Sequence, residues 1–312
     1  MNRSEKIVKP LIEQRADPYV YRHTDGNYYF TASVPEYDRI ELRRAPTIKG
    51  LAVAKPKVIW RKHDRGVMSK HIWAPEIHYI DGEWYIYFAA SKVDDIWRLR
   101  PYVLQCVDDD PLTGEWRELG QMQASKGDDF SFTDFSLDAT VFEHRGRSYY
   151  VWAQKVNNIS NLYIAELEKP YRLKTKPVLI AKPEYDWEKV DFWVNEGPAI
   201  IKHGDKIFMT FSASSTGACY CMGLLTASAD ADLLNPKSWI KKPDPVLITS
   251  PEHQVYGPGH NSFTVSENGK DLVIYHARPY GEIEGDPLYD PNRHTCVMEL
   301  EWDEDGNPIF AF

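Results

Sequence analysis

No stretch of this 312-residue chain approaches the roughly twenty consecutive apolar residues that a membrane-crossing helix needs. The start, Met1 to Pro10, carries charge and lacks the apolar run of a signal peptide, so a cytoplasmic location is expected. Cysteine is scarce: Cys106, Cys219, Cys221 and Cys296 are all there is. Cys219 and Cys221 face the same way in a strand, but no second pair of metal-type spacing accompanies them. Free thiols in a reducing compartment are therefore expected, not a zinc site. Positive charge is in deficit, with a formal net charge of −9. That argues against a nucleic-acid partner or an anionic membrane surface, since both need basic patches. Helical periodicity is nearly absent, and Pro and Gly punctuate too often for long helices; Leu233–Pro236 reads as one short turn.

Aromatic residues, by contrast, are plentiful: ten Trp, nineteen Tyr and twelve Phe. β-rich proteins fill sheets with such residues, and sugar rings stack on their flat faces. The aromatics follow a repeat. Five times an apolar strand leads through a turn ending in glycine into a second, aromatic or apolar strand. The copies run from Asp17 to Gly26, Pro75 to Gly82, Asp138 to Gly146, Glu196 to Gly204 and His260 to Gly269. The glycines are spaced 56, 64, 58 and 65 residues apart. Each copy extends to a third strand near residues 39, 102, 162, 220 and 295. A fourth apolar segment follows at Lys57–Trp60, Trp116–Leu119, Pro177–Ile180, Pro245–Ile248 and Pro308–Ala311. Five sets of four antiparallel strands predict an all-β fold, a five-bladed β-propeller built as one domain over residues 1–312, with blades starting near 17, 74, 138, 196 and 260.

The first strand of a propeller blade lines the central channel, so the residues that open these strands converge on one mouth. Asp17, Asp138 and Glu196 hold that rank in three blades, with Trp73-Ala74 and His260-Asn261 beside them. Two carboxyl groups across a pocket are the minimum equipment for glycoside hydrolysis, and a third negative charge keeps the acid protonated near neutrality. Three acids can also cap turns or hold a cation.

Ala16-Asp17-Pro18, Trp73-Ala74-Pro75-Glu76, Ser136-Leu137-Asp138-Ala139 and Asn195-Glu196-Gly197-Pro198 together resemble the motif set of glycoside hydrolase family 43. Gly257-Pro258-Gly259-His260-Asn261 and His276-Ala277-Arg278 complete it, over residues 14 to 280. The resemblance implies inverting hydrolysis of arabinofuranosides or xylosides, with Asp17 as general base, Glu196 as general acid and Asp138 orienting Glu196 and raising its pKa. His260 resembles the family's central histidine beneath the sugar, though it also reads as a structural histidine. Trp73, at the mouth rank of the second blade, is placed to stack on a sugar face, though it also reads as a packed blade residue; Arg278 follows a strand that reaches the same mouth, and its fork suits two sugar hydroxyls. No organic cofactor is expected; a calcium ion held through water beside His260 is the candidate metal. The substrate expected is a short arabinose- or xylose-containing oligosaccharide, most specifically an α-1,5-linked arabino-oligosaccharide trimmed by an exo-acting α-L-arabinofuranosidase. The extra C-terminal β-sandwich of β-xylosidase members is not seen before the chain ends at Phe312. A β-xylosidase, an endo-arabinanase or a non-catalytic sugar-binding propeller are the alternatives. Residues 280–292, rich in Asp, Glu and Pro, read as a long loop at the pocket rim or at a subunit contact; the sequence sets no oligomeric state.

Overall fold

The computed structural model describes residues 7–312; residues 1–6 of the charged start lie outside the described residues. The first blade is the sheet β1 (Ala16–Arg22), β2 (Tyr28–Ser33), β3 (Arg39–Ala45) and β4 (Lys57–Arg61), all antiparallel and in sequence order. A short helix, α1 (Ile48–Val53), fills the connection between β3 and β4; Thr47 caps it by accepting the Gly50 N–H at 3.0 Å. The second blade repeats the order with β5 (Lys70–Ile80), β6 (Glu83–Lys92), β7 (Asp95–Cys106) and β8 (Trp116–Gln121). The third holds β9 (Ser136–His144), β10 (Arg147–Val156) and β11 (Ile159–Lys169), with both β12 (Arg172–Leu173) and β13 (Val178–Ala181) on the outer edge of β11. The fourth is β14 (Asn195–His203), β15 (Lys206–Ala213), β16 (Cys221–Ser228) and β17 (Ile240–Lys241). The fifth has three strands, β18 (Tyr256–Val265), β19 (Asp271–Arg278) and β20 (His294–Glu299), followed by a separate pair, β21 (Glu301–Trp302) and β22 (Pro308–Ile309). Five blades of antiparallel strands make the expected propeller.

The repeat glycines turn the inner hairpins. Asp81 and Gly82 both have positive φ, 52° and 90°, which is the two-residue turn whose twist matches the flanking strands. The five opening strands then pack side by side in a closed ring: β1 on β5, β5 on β9, β9 on β14, β14 on β18, and β18 on β1.

The apolar core lies between the blades, in five clusters. Tyr29, Ile40 and Leu42 of the first blade meet Ile77, Trp84 and Ile86 of the second. Tyr85 and Tyr87 meet Tyr150 and Trp152 of the third. Leu162 and Ile164 meet Met209 and Phe211 of the fourth. Met222 meets Val273 and Tyr275 of the fifth, and Leu272 and Ile274 return to Val20, Tyr28 and Phe30 of the first. Most of the aromatics are consumed here. Removing one fully buried ring such as Trp84 or Trp152 costs about 3–5 kcal/mol.

Two outer strands differ from the sequence reading. In the fourth blade β17 lies at Ile240–Lys241, and the apolar 245–248 segment makes only an isolated bridge, Leu247 with Met222. Pro243 and Pro245 interrupt it, since proline has no N–H for the ladder. In the fifth blade Pro308 and Ile309 pair with β21 instead of β20. The edge of β20 is taken by the other end of the chain. Thr295 donates its N–H to Ile12 at 2.9 Å and accepts the Leu11 N–H at 2.7 Å, which latches the last blade to the first.

Candidate active site

Each opening strand breaks its ladder at the same rank. The backbone turns left-handed at Asp17, Ala74, Asp138, Gly197 and His260, with φ of 52°, 46°, 49°, 55° and 42°. The strand register shifts at each of these places. A bulge of this kind bends the strand and re-aims a side chain, at a strain of roughly 1–3 kcal/mol for a residue other than glycine. Asp and His tolerate the conformation better than most residues. In the fourth blade the left-handed residue is Gly197, so Glu196 sits one position earlier and reaches the cavity with a longer side chain. A Cβ on Gly197 would meet the His260 ring at 3.2 Å.

The ring of bulges brings the three carboxylates to one cavity of about 410 Å³, lined also by Trp73, Tyr220, His260 and Arg293. Asp17 is nearly buried. Ser33 donates its hydroxyl to Asp17 Oδ2 at 2.6 Å and accepts the Ala74 N–H at 2.8 Å, so the second bulge helps fix the first. Arg293 reaches Asp17 Oδ1 at 3.4 Å. His276 accepts the Asp17 backbone N–H at Nδ1, 3.1 Å away. His260 stands between two acids, its Nδ1 3.4 Å from Asp17 Oδ1 and 3.5 Å from Asp138 Oδ2. The Gly197 N–H donates to the Asp138 carboxyl. Tyr220 donates its hydroxyl to Glu196 Oε1 at 2.9 Å.

These environments push the carboxyl groups apart. Burial pushes Asp17 up, but Arg293, His260 and His276 outweigh it and hold the carboxyl well below the usual range. Asp138 moves the other way: burial raises it, and the charges of Glu196, Asp17 and Glu76 raise it further. Glu196 is also raised, by burial first, against the Tyr220 hydrogen bond that favours its anion. Burial takes His276 down to about 3 despite the pull of Asp17, so its ring is neutral. One carboxyl held toward its anion thus faces two that are pushed toward the protonated form, which is the division of labour between a base and an acid.

The other expected residues divide. Trp73 lines the cavity and also packs, stacked on His71 with 4.4 Å between centroids and edge-on to Tyr37. Arg278 does not line it. Its guanidinium is fully buried and bonds to the Thr216 carbonyl, the Pro287 carbonyl and Asp290. The arginine that reaches the cavity is Arg293, one residue before β20, and no repeat position marked it. Arg278 instead ties down the 280–292 loop, which Tyr37 also holds by donating to the Leu288 carbonyl. That loop forms part of the cavity wall through Asp286 and Leu288.

Ser33, Tyr220 and His276 were likewise not assigned from sequence. A trace of Tyr220 was present in Gly257-Pro258-Gly259. A Cβ on Gly259 would lie 2.4 Å from Tyr220 Cε1, so the glycine marks where the ring passes. Among the described residues no group of three or more His, Cys, Asp or Glu could hold a metal ion. Calcium takes six to eight oxygen ligands. The carboxylates beside His260 are engaged by Ser33, Arg293 and a backbone N–H, so no cluster of protein oxygens stands there for a calcium ion, and one held through water beside His260 stays an expectation.

A family model described as Glycosyl hydrolases family 43 matches residues 7–308. The extracellular exo-alpha-(1->5)-L-arabinofuranosidase of Streptomyces avermitilis is 52% identical over 312 residues, 99% of this chain and 64% of that protein. The chain therefore spans less than two thirds of that relative's length. A protein of the same name from Streptomyces chartreusis is 49% identical over 282 residues, covering 89% of this chain and 84% of its own. Among solved structures, an alpha-L-arabinofuranosidase from Lactobacillus brevis superposes with a TM-score of 0.92 at 53% identity, over 98% of this chain and 97% of that one. Two of these relatives are named extracellular, which overturns the cytoplasmic location expected above. That expectation read a compartment from a missing apolar run. An absence of that kind carries no such information, because the fold and its site are built the same way on either side of a membrane.

Proposed function

The chain belongs to glycosyl hydrolases family 43, and from that premise we propose an inverting, exo-acting α-L-arabinofuranosidase that releases arabinose from α-1,5-linked arabino-oligosaccharides. The names of the relatives supply the sugar and linkage. The observation that carries the mechanism is that one cavity pushes the Asp17 carboxyl toward its anion and the Glu196 carboxyl toward its protonated form.

Glu196 acts as the general acid. Its proton passes to the oxygen of the departing group as the glycosidic bond breaks. Asp17, ionised and aligned by Ser33, Arg293 and His276, takes a proton from a water that attacks the anomeric carbon from the opposite face. Asp138 keeps the proton on Glu196 by placing a second carboxyl beside it. Trp73 offers an apolar face, and His260 and Arg293 offer donors to the sugar that is cleaved. No step is assigned to calcium. The 280–292 loop, which contributes Asp286 and Leu288 to the cavity wall, favours exo action over an open groove.

The test is hydrolysis of 4-nitrophenyl α-L-arabinofuranoside beside the β-D-xyloside, with proton NMR of the first sugar released. Arabinoside cleavage giving the β-anomer first is expected. Preference for the xyloside would overturn the substrate and leave the roles of the acids in place. First release of the α-anomer would overturn inversion.

A further inference from the structure

The side chain next to the proposed acid faces the other way. Successive side chains of a strand point to opposite faces, so while Glu196 enters the cavity Asn195 turns into the fourth blade, where it is fully buried. There it meets two charged groups that the mechanism above does not use. Its amide donates to Glu188 Oε1 at 2.9 Å, and its Oδ1 accepts from the Lys241 ammonium at 3.1 Å. Glu188 and Lys241 form an ion pair at 2.6 Å, with side-chain exposures of 0% and 8%.

Every polar atom of this trio is engaged. Glu188 Oε2 accepts the backbone N–H groups of Glu184 and Tyr185 at 2.6 and 2.7 Å. Lys241 donates its remaining proton to the Lys182 carbonyl at 2.7 Å, and Asn195 gives its second amide proton to the Val194 carbonyl at 2.9 Å. Lys241 belongs to β17, the outermost strand of the blade, and Asn195 opens β14, the innermost. The trio therefore ties the outer edge to the channel strand, with the ammonium 5.0 Å from the ring centroid of Phe211 in β15 on the way.

A buried ion pair adds little net stability, because desolvation of two charges offsets their attraction. A saturated, charge-assisted network does impose a fixed geometry. Glu196 sits where such a constraint matters. Among the described residues its carboxyl takes one hydrogen bond, from Tyr220, and β14 loses register with β15 immediately after it. The direction of the carboxyl thus depends on the backbone at Asn195.

We propose that Glu188, Lys241 and Asn195 are positioning residues that hold Glu196 in line with the departing oxygen, acting through the backbone of β14. The inference rests on Glu196 being the general acid. A small displacement of an acid weakens proton transfer to the leaving group, while attack by water on the Asp17 side is unaffected.

The experiment compares kcat/KM for α-1,5-arabinobiose and for 4-nitrophenyl α-L-arabinofuranoside in the natural protein and in Asn195→Ala, which leaves the Glu188–Lys241 pair in place. A loss of at least tenfold on arabinobiose and less than threefold on the aryl glycoside is expected. A second variant, Glu188→Gln with Lys241→Met, removes both charges together so that neither is left buried alone; the same split between substrates is expected. Equal losses on both substrates, no loss on either, or a lowered melting temperature with an unchanged substrate ratio would make the trio merely structural and overturn the proposal. Glu196→Ala serves as the reference. If it shows the split and Asn195→Ala does not, the positioning role fails and the acid stands. If Glu196→Ala itself shows no split, the reading of Glu196 as the acid fails, and the proposal with it.

Discussion

The imidazole of His276 lies flat against the phenol of Tyr220, with 5.6 Å between ring centroids and 8° between planes. His276 accepts the backbone N–H of Asp17 on one side of this stack, and Tyr220 donates to Glu196 on the other. The proposed base and acid are therefore held by two rings in contact. Both rings come from outside the opening strands, so the bulged ring of the propeller supplies the carboxylates and the neighbouring strands set their alignment.

Tyr220→Phe removes a hydrogen bond that favours the Glu196 anion. The acid then keeps its proton to higher pH. A charge-assisted bond of this kind is worth about 1.5–3 kcal/mol, or about one to two pKa units. The alkaline limb of the kcat/KM profile is expected to move up by about one unit. A limb that moves down would show that Tyr220 does not act on Glu196.

Asp138→Asn moves the same limb the other way, because Glu196 loses the carboxyl that holds its proton. It also changes stability with a definite sign. A carboxyl raised in the folded state favours folding below its unfolded pKa of about 3.9, and that contribution is lost as pH rises through the folded value. The amide has no such dependence. Melting of Asp138→Asn relative to the natural protein is thus expected to improve as pH rises above about 4. A difference that stays constant with pH would mean that folding does not raise the Asp138 carboxyl.

Gly259→Ala tests the path of the Tyr220 ring. The new methyl would sit 2.4 Å from Cε1 and 3.0 Å from the Ser212 hydroxyl that accepts the His260 N–H. Overpacking of this kind costs about 1–3 kcal/mol. Lower thermal stability together with the upward limb shift of Tyr220→Phe is expected. Loss of stability with an unmoved pH profile would separate the glycine from the site.

The repeat made the blades legible, because hairpin glycines and opening strands recur at a steady spacing. It also made Asp17, Asp138 and Glu196 candidates, since their rank repeats. Residues with no rank in the repeat stayed hidden. Arg293 immediately precedes β20, Ser33 ends β2, and Tyr220 closes the loop before β16; each reaches the carboxylates from outside the opening strands. Arg278 was a candidate because its strand reaches the mouth, yet its guanidinium is spent on the Thr216 carbonyl and on Pro287 and Asp290 of the loop. The outer edges misled for a related reason. What pairs with β20 is Ile12, 283 residues away in the chain, and local pattern contains no trace of that partner.

The central claim is that Glu196 delivers a proton to the departing oxygen. Its most direct measurement is the leaving-group dependence of Glu196→Ala, comparing α-1,5-arabinobiose with 4-nitrophenyl α-L-arabinofuranoside. General acid catalysis contributes about 10²–10⁴-fold, and a nitrophenolate needs little of it. The account predicts a loss of at least a hundredfold on arabinobiose and a far smaller loss on the aryl glycoside. Equal losses on the two substrates would contradict it.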